Sequence, residues 1–274
     1  MITRFTPYEI QECLFDTKRT NTFMEAINEV VRPGDVVVDA GSGSGVLSLF
    51  AARAGAKKVY CIEASQRFIA IIKKNAELNN YQDVLEVIHA DATTVTLPEQ
   101  VDVIISELLS TGLFYEPETE VLNHLRQYLK PNGRIIPQNC TSRVQLISAQ
   151  RSMYGLYFDY DSRYEKLKED VALTAYTVFD QPDFYRDEPL DINREVLSKS
   201  VRAGTANAIR ITTEAQLSAS IKAKKSEFLF NPLVIYLDKP LVISEGRTYG
   251  IHINYRRSED TLGTRITVRE ASAK

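Results

Sequence analysis

Between residue 20 and about residue 137, short apolar runs alternate with longer amphipathic stretches. Asp35-Val-Val-Val-Asp39 is a β-branched run without polar alternation, the pattern of a central parallel strand covered on both faces. Val46 to Ala54 carries a helical pattern that Gly55 ends. Lys58-Val-Tyr-Cys-Ile62 reads as a second strand and Ser65 to Leu78 as a second helix. Leu85–His89 and Val101–Ser106 add two strands. Pro117 opens a helix at its favoured first turn, Pro131-Asn132-Gly133 stops it, and Arg134-Ile-Ile136 resumes extended structure. Such alternation with short loops predicts a doubly wound parallel, Rossmann-like sheet.

Beyond Pro137 the rhythm changes. Val144–Ile147, Ala206–Thr213, Leu233–Leu237, Tyr249–Tyr255 and Arg265–Val268 are β-type segments, with turn signals at Asp238-Lys-Pro240 and Ser244-Glu-Gly246. A polar, Tyr-rich insertion from Tyr154 to about Asp170 is expected to be partly helical. The fold class is therefore α/β: the parallel sheet followed by an antiparallel β-barrel or sandwich. The expected domains are 1–137, an N-terminal helical segment plus the Rossmann-like unit, and 138–274.

Composition narrows the picture only modestly. At 44% hydrophobic and 25% charged, the chain is that of an ordinary globular protein. The net charge of −3 supplies no field for nucleic acid, which argues against RNA as an acceptor. Lys222, Lys224, Lys225, Arg256 and Arg257 read as solvated loop and strand-end charges. Cys13, Cys61 and Cys140 have neither metal nor redox spacing, and His89, His124 and His252 read as structural, so no metal site is expected. The N-terminus lacks a signal-peptide core, and no apolar run approaches the ~20 residues that span a bilayer. A cytoplasmic protein without a membrane segment is expected.

The candidate chemistry starts at Asp39-Ala-Gly-Ser-Gly-Ser-Gly45, which joins a strand to a helix. Glycines let the backbone approach a ligand, and the helix N-terminus offers free N–H groups. The dinucleotide fingerprint is G-x-G-x-x-G, whereas this loop is G-x-G-x-G with an acid two residues ahead. That difference favours S-adenosylmethionine, whose amino group Asp39 can serve directly or through water. Glu63 ends the next strand, where a carboxylate takes both ribose hydroxyls, and Asp91 follows the third strand, placed for the adenine edge.

These residues carry a resemblance. Val38 to Val59, with its tail Leu-Ser-Leu-Phe-Ala-Ala-Arg-Ala-Gly-Ala, resembles the first motif of the protein arginine methyltransferases. Asp16-Thr-Lys-Arg-Thr20 is similar to the segment whose arginine clamps the cofactor's carboxylate, a role the resemblance gives to Arg19. The cofactor residues implied are Arg19, Asp39, Gly41, Gly43, Gly45, Glu63, Ala64, Asp91 and Ala92, with S-adenosylhomocysteine as product. Ile105-Ser-Glu-Leu-Leu-Ser-Thr-Gly-Leu-Phe-Tyr-Glu116 resembles the family's double-glutamate loop, which makes Glu107 and Glu116 the catalytic pair. Two carboxylates can grip a guanidinium bidentately and concentrate electron density on the attacking nitrogen. By itself, an acid just before Pro117 reads equally well as favouring a helix N-terminus.

Departures from the family bear on the acceptor. The chain has no tryptophan, and the family's Thr-His-Trp loop is replaced by Phe228-Leu-Phe-Asn-Pro232. Of the usual N-terminal Tyr-Phe-x-x-Tyr helix only Phe5 and Tyr8 remain, and a family histidine is replaced by Ile10. The leading expectation is N-methylation of arginine in a protein substrate. A small-molecule acceptor is the first alternative, and a catalytically weak binding or scaffold homologue the second. The resemblance implies a homodimer built through the 154–170 insertion; a solvated surface segment reads the same residues as well.

Overall fold

The structure is a computed structural model that describes residues 6–165 and 170–271. Two helices open it, α1 (Pro7–Phe15) and α2 (Thr17–Val30). Thr6 and Glu9 form a reciprocal capping box on α1, and the Asp16 side chain caps α2 by accepting from the Arg19 amide at 3.1 Å. Phe5 lies outside the described residues.

A five-stranded parallel sheet follows, built from β1 (Val36–Ala40), β2 (Lys58–Glu63), β3 (Leu85–His89), β4 (Val101–Ser106) and β5 (Leu129–Ile136) in the order β3-β2-β1-β4-β5. Helices α3 (Val46–Arg53), α4 (Gln66–Leu78) and α5 (Glu118–Leu125) lie between the strands. All five β1 residues are buried, as a two-sided apolar strand requires. The strand order reverses between β1 and β4, and ligands bind outside the carboxyl ends at such a point.

The second half contains β6 (Asn139–Ser148), β7 (Ser152–Met153), β8 (Leu156–Tyr157), β9 (Ser162–Tyr164), β10 (Val171–Ala172), β11 (Thr177–Asp180), β12 (Asp191–Lys199), β13 (Gly204–Gln216), β14 (Lys222–Ala223), β15 (Leu233–Ile243), β16 (Thr248–Arg256) and β17 (Arg265–Glu270). One antiparallel sheet has the backbone β10-β6-β13-β15-β9, and a second runs β12-β16-β17. Their inner faces share a core of Leu146, Ile209, Ile235, Ile251, Ile253 and Tyr255. Ala215, Leu217, Leu229 and Phe230 from this half pack instead into the core of the parallel sheet.

Several sequence expectations are corrected. Pro117 is the cap of α5 and not its first turn, and α5 ends at Leu125. Pro131-Asn132-Gly133 does not stop that helix; it lies within β5 where the register against β4 shifts. Asp238-Lys-Pro240 is likewise inside β15, opposite an irregularity in β13. No residue of 154–165 is helical: β7 and β8 pair as a hairpin and β9 joins the large sheet, while 166–169 lie outside the described residues. Arg257 is fully buried and not solvated, its guanidinium 2.6 Å from Asp180. Strand β12 was not anticipated, because its mostly exposed residues give it a polar sequence.

Candidate active site

The β1–α3 loop wraps the carboxyl end of β1. Gly41, Gly43 and Gly45 take φ of +73°, +53° and +79°, the left-handed region where a side chain is strained. The Gly41 and Ser42 amides donate to the Ile62 carbonyl at 2.9 and 3.0 Å, tying the loop to β2. Glu63 completes the hold: its Oε2 accepts from the Gly43 amide at 2.9 Å and its Oε1 from the Ser65 amide at 2.8 Å. One bond to each oxygen leaves further lone pairs for a ligand's hydroxyls.

Asp39 lies beneath this loop. It is 1% exposed, and its carboxylate accepts from the Ser48 hydroxyl at 2.5 Å. Burial pushes its carboxyl up to about 6, against the lowering influence of the Ser48 and Ser42 hydroxyls. Ser48 is a site residue the sequence reading missed, although a polar residue in the apolar stretch Val46–Ala52 was a visible signal.

The β4–α5 loop lies beside it at the switch point. Glu107 follows the last β4 residue and pairs with the Arg19 guanidinium, which also donates to the Cys13 carbonyl at 3.0 Å. Burial pulls the Arg19 guanidinium below its ordinary value, while Cys13, Glu116 and Asp16 act to raise it. Leu113 and Tyr115 take φ of +58° and +63° without being glycine, an uncommon conformation that surrounding contacts must enforce. Those contacts come from the second half. The Tyr115 amide donates to the Glu259 carbonyl at 2.8 Å, Ser258 N–H to the Leu113 carbonyl at 3.0 Å, and the Tyr255 hydroxyl to the Gly112 carbonyl at 2.8 Å. The Phe114 ring stacks on Tyr255 with centroids 4.4 Å apart.

Glu118 was also missed. Its Oε2 accepts from the Ser106 hydroxyl at 2.7 Å and the Leu108 amide at 3.0 Å, and burial pushes its carboxyl up to about 7. An acid in the first turn of a helix reads as surface charge, so nothing in the sequence marked it.

Two adjoining cavities lie over these loops. One, of about 260 Å³, is lined by Gly41, Gly43, Glu63, Ala64, Asp91 and Ala92 together with the apolar side chains Ile62, Phe68 and Leu108. The other, of about 220 Å³, is lined by Arg19, Glu107, Cys13 and Phe228. Gly41, Gly43, Leu108, Ile10 and Glu116 line both. Neither Asp39 nor Gly45 borders either cavity; a Cβ on Gly45 would meet Ile72 at 3.2 Å, so that glycine serves helix packing. Asp91 Oδ1 is taken by the Thr93 amide and hydroxyl at 2.9 and 2.7 Å. The histidines bond elsewhere: His89 to the Ala64 carbonyl, His124 to the Val95 carbonyl and His252 to Asn193.

A glycine cradle, a half-used carboxylate at the end of β2 and an apolar slot suit an adenosine attached to a charged amino-acid tail. The profile of the ribosomal protein L11 methyltransferase (PrmA) family matches residues 16–180, more than half of the chain. The chain belongs to the S-adenosylmethionine-dependent methyltransferases. This methyltransferase is 33% identical over 257 residues to an uncharacterised protein of Methanocaldococcus jannaschii, covering 93% of the chain and 94% of that protein. It is also 35% identical over 196 residues to the histone-arginine methyltransferase CARMER of Drosophila persimilis, covering 70% of the chain but 37% of that longer relative. In fold it matches the Trypanosoma brucei PRMT1 enzyme–prozyme heterotetrameric complex with AdoHcy at TM-score 0.78, with 19% identity and coverage of 95% and 96%. Arabidopsis thaliana protein arginine methyltransferase 10 matches at TM-score 0.77 with 18% identity, covering 95% of each chain. Among the described residues, no helix is long and apolar enough to cross a membrane.

Proposed function

We propose that this methyltransferase N-methylates arginine side chains in a protein substrate, with residues 1–137 as the cofactor domain and 138–274 as the substrate domain. The observation that carries the reading is the shared cavity: Glu107 and Glu116 border the space that Gly41 and Gly43 also line, and Glu107 already pairs with a guanidinium, that of Arg19. The name of the CARMER relative supports arginine as the acceptor.

Bound S-adenosylmethionine supplies a methyl group on a sulfonium for in-line transfer, leaving S-adenosylhomocysteine. Glu63 receives the ribose hydroxyls and Asp91 the adenine edge, with Ala64 and Ala92 beside them. Arg19 takes the carboxylate of the amino-acid tail, while Asp39 acts from beneath, shaping the loop through Ser48. Glu107 and Glu116 hold the substrate guanidinium by charge-assisted bonds and bias its electron density toward the nitrogen facing the methyl group. The proton lost on methylation passes to one of these carboxylates.

Exposed Tyr154, Leu156 and Tyr157 on the β7–β8 hairpin support a homodimer contact through the insertion; a strict monomer in light scattering would remove that assignment. The free thiols of Cys13, Cys61 and Cys140 support a reducing, cytoplasmic setting. The half-exposed Phe228 ring at the cavity wall supports a second reading, an apolar small-molecule acceptor.

The deciding experiment supplies labelled S-adenosylmethionine and an arginine-bearing peptide to the parent and to Glu107→Gln. Glu107→Gln should keep cofactor affinity by calorimetry and lose roughly 10²–10⁴-fold in turnover; full activity would overturn the assignment. Label confined to a low-mass fraction of a treated lysate favours the small-molecule reading.

A further inference from the structure

We propose that Glu118 is a positioning residue of the acceptor site, one that holds the backbone on both sides of Glu107 and so keeps that carboxylate aimed at the substrate guanidinium. The inference rests on the arginine reading above and deepens it. The ladder between β1 and β4 ends at the Ala40–Ser106 pair, so Glu107 is the first residue past the sheet. At that point the Glu118 carboxylate reaches back from α5 and takes Ser106 Oγ and the Leu108 amide through one oxygen, at 2.7 and 3.0 Å. The two donors belong to the residues immediately before and after Glu107. Successive side chains of an extended chain point to opposite sides. With Ser106 turned toward Glu118, Glu107 faces the other way, toward Arg19 and the cavity.

Helix capping alone does not account for this residue. An acid in the first turn ordinarily serves its own helix's free N–H groups from the surface. Glu118 is 0% exposed, and its Oε1 has no hydrogen-bond partner among the described residues. Burying a carboxyl this way is costly, and burial pushes it up to about 7. An aliphatic side chain would fill the volume without that cost but would accept neither hydrogen bond. The cost falls at the one backbone segment whose direction decides where Glu107 points.

The test compares Glu118→Ala, Glu118→Gln and Ser106→Ala in the full chain. It measures kcat and KM for methyl transfer from labelled S-adenosylmethionine to an arginine-bearing peptide, with cofactor affinity by calorimetry. Glu118→Ala should lose kcat on the order of 100-fold, the effect of a displaced reacting group, with cofactor affinity unchanged. The Gln carbonyl can accept both hydrogen bonds, so Glu118→Gln should restore most of that loss, and Ser106→Ala should fall between. Parental kcat in Glu118→Ala overturns the proposal, as does a Glu118→Gln enzyme no better than Glu118→Ala. If Glu118→Ala does not fold, Ser106→Ala decides, and parental kcat there overturns it. Glu107→Gln run in parallel separates the two levels: if it is fully active the arginine reading fails, whereas an inactive Glu107→Gln beside a parental Glu118→Ala sinks only the role of Glu118.

Discussion

The two loops that meet at the switch point are built on opposite principles. The β1–α3 loop is held by its own neighbourhood: glycines at positive φ, two amides on the Ile62 carbonyl and one carboxylate, Glu63, on its backbone. The β4–α5 loop has one glycine at positive φ, Gly112, and forces Leu113 and Tyr115 into the same region with bonds from residues more than a hundred positions away. A loop that must cradle a ligand of fixed shape can be encoded locally. The loop that carries Glu107 and Glu116 is shaped instead by the second half of the chain.

The contrast is open to test. Glu63→Ala removes the proposed ribose contact, the anchor on the Gly43 amide of the first loop and a bond to the Ser65 amide beyond β2. It should weaken cofactor binding on the order of 1,000-fold, about 4 kcal/mol, in calorimetry; an affinity near the parent's would mean the glycines alone build the site. Next comes the pH response of the second loop. Glu118 sits at about 7 in the folded protein against 4.5 ordinarily. Below 4.5 both folded and unfolded chains carry the proton; as pH rises through this window the unfolded chain releases it first, so folding weakens until the folded carboxyl also ionises near 7. Urea unfolding should show the parent losing up to about 3 kcal/mol relative to Glu118→Gln between pH 4.5 and 7.5; parallel curves would refute the burial argument.

Gly41→Ala is expected to cost about 1–2 kcal/mol, since φ is +73° and the new Cβ would lie 2.7 Å from Leu108 Cδ2. Because Leu108 belongs to the second loop, turnover should fall along with cofactor affinity. Gly34→Ala is the control: its φ is +91° but no atom lies within 4 Å, so it should lose stability without affecting kinetics. The smallest effect is expected for Asp16→Ala, about 1 kcal/mol in thermal unfolding. Asp16 caps α2 at Arg19 and also accepts from Ser226 Oγ at 2.5 Å and the Phe228 amide at 2.8 Å, so KM for the acceptor should rise as well.

What could be read from the sequence follows the same division. Strands β1, β2 and β4 and the glycine loop were legible because buried parallel strands are mostly apolar runs and because glycine names its own conformation. That Glu107 and Glu116 belong together was suggested only by a family resemblance, and both line one cavity in the structure. Strand β12 escaped because a mostly exposed strand can be mostly polar, and the insertion was read as partly helical when β7 and β8 form a short hairpin and β9 takes its partner from the distant β15. Asp39 is legible as an acid at the end of β1, but its burial and its bond to Ser48 are not, and Glu118 was passed over. Both have one cause: the sequence places an acid at a strand or helix end without saying which way its carboxylate turns.

The near-contact between residue 41 and Leu108 also bears on how such a molecule can vary. The two loops lean on each other there, so neither can be transplanted alone. A grafted acceptor loop must bring a residue at 108 whose bulk suits what stands at 41. Across relatives, gain of a side chain at the first position should travel with loss of one at the second.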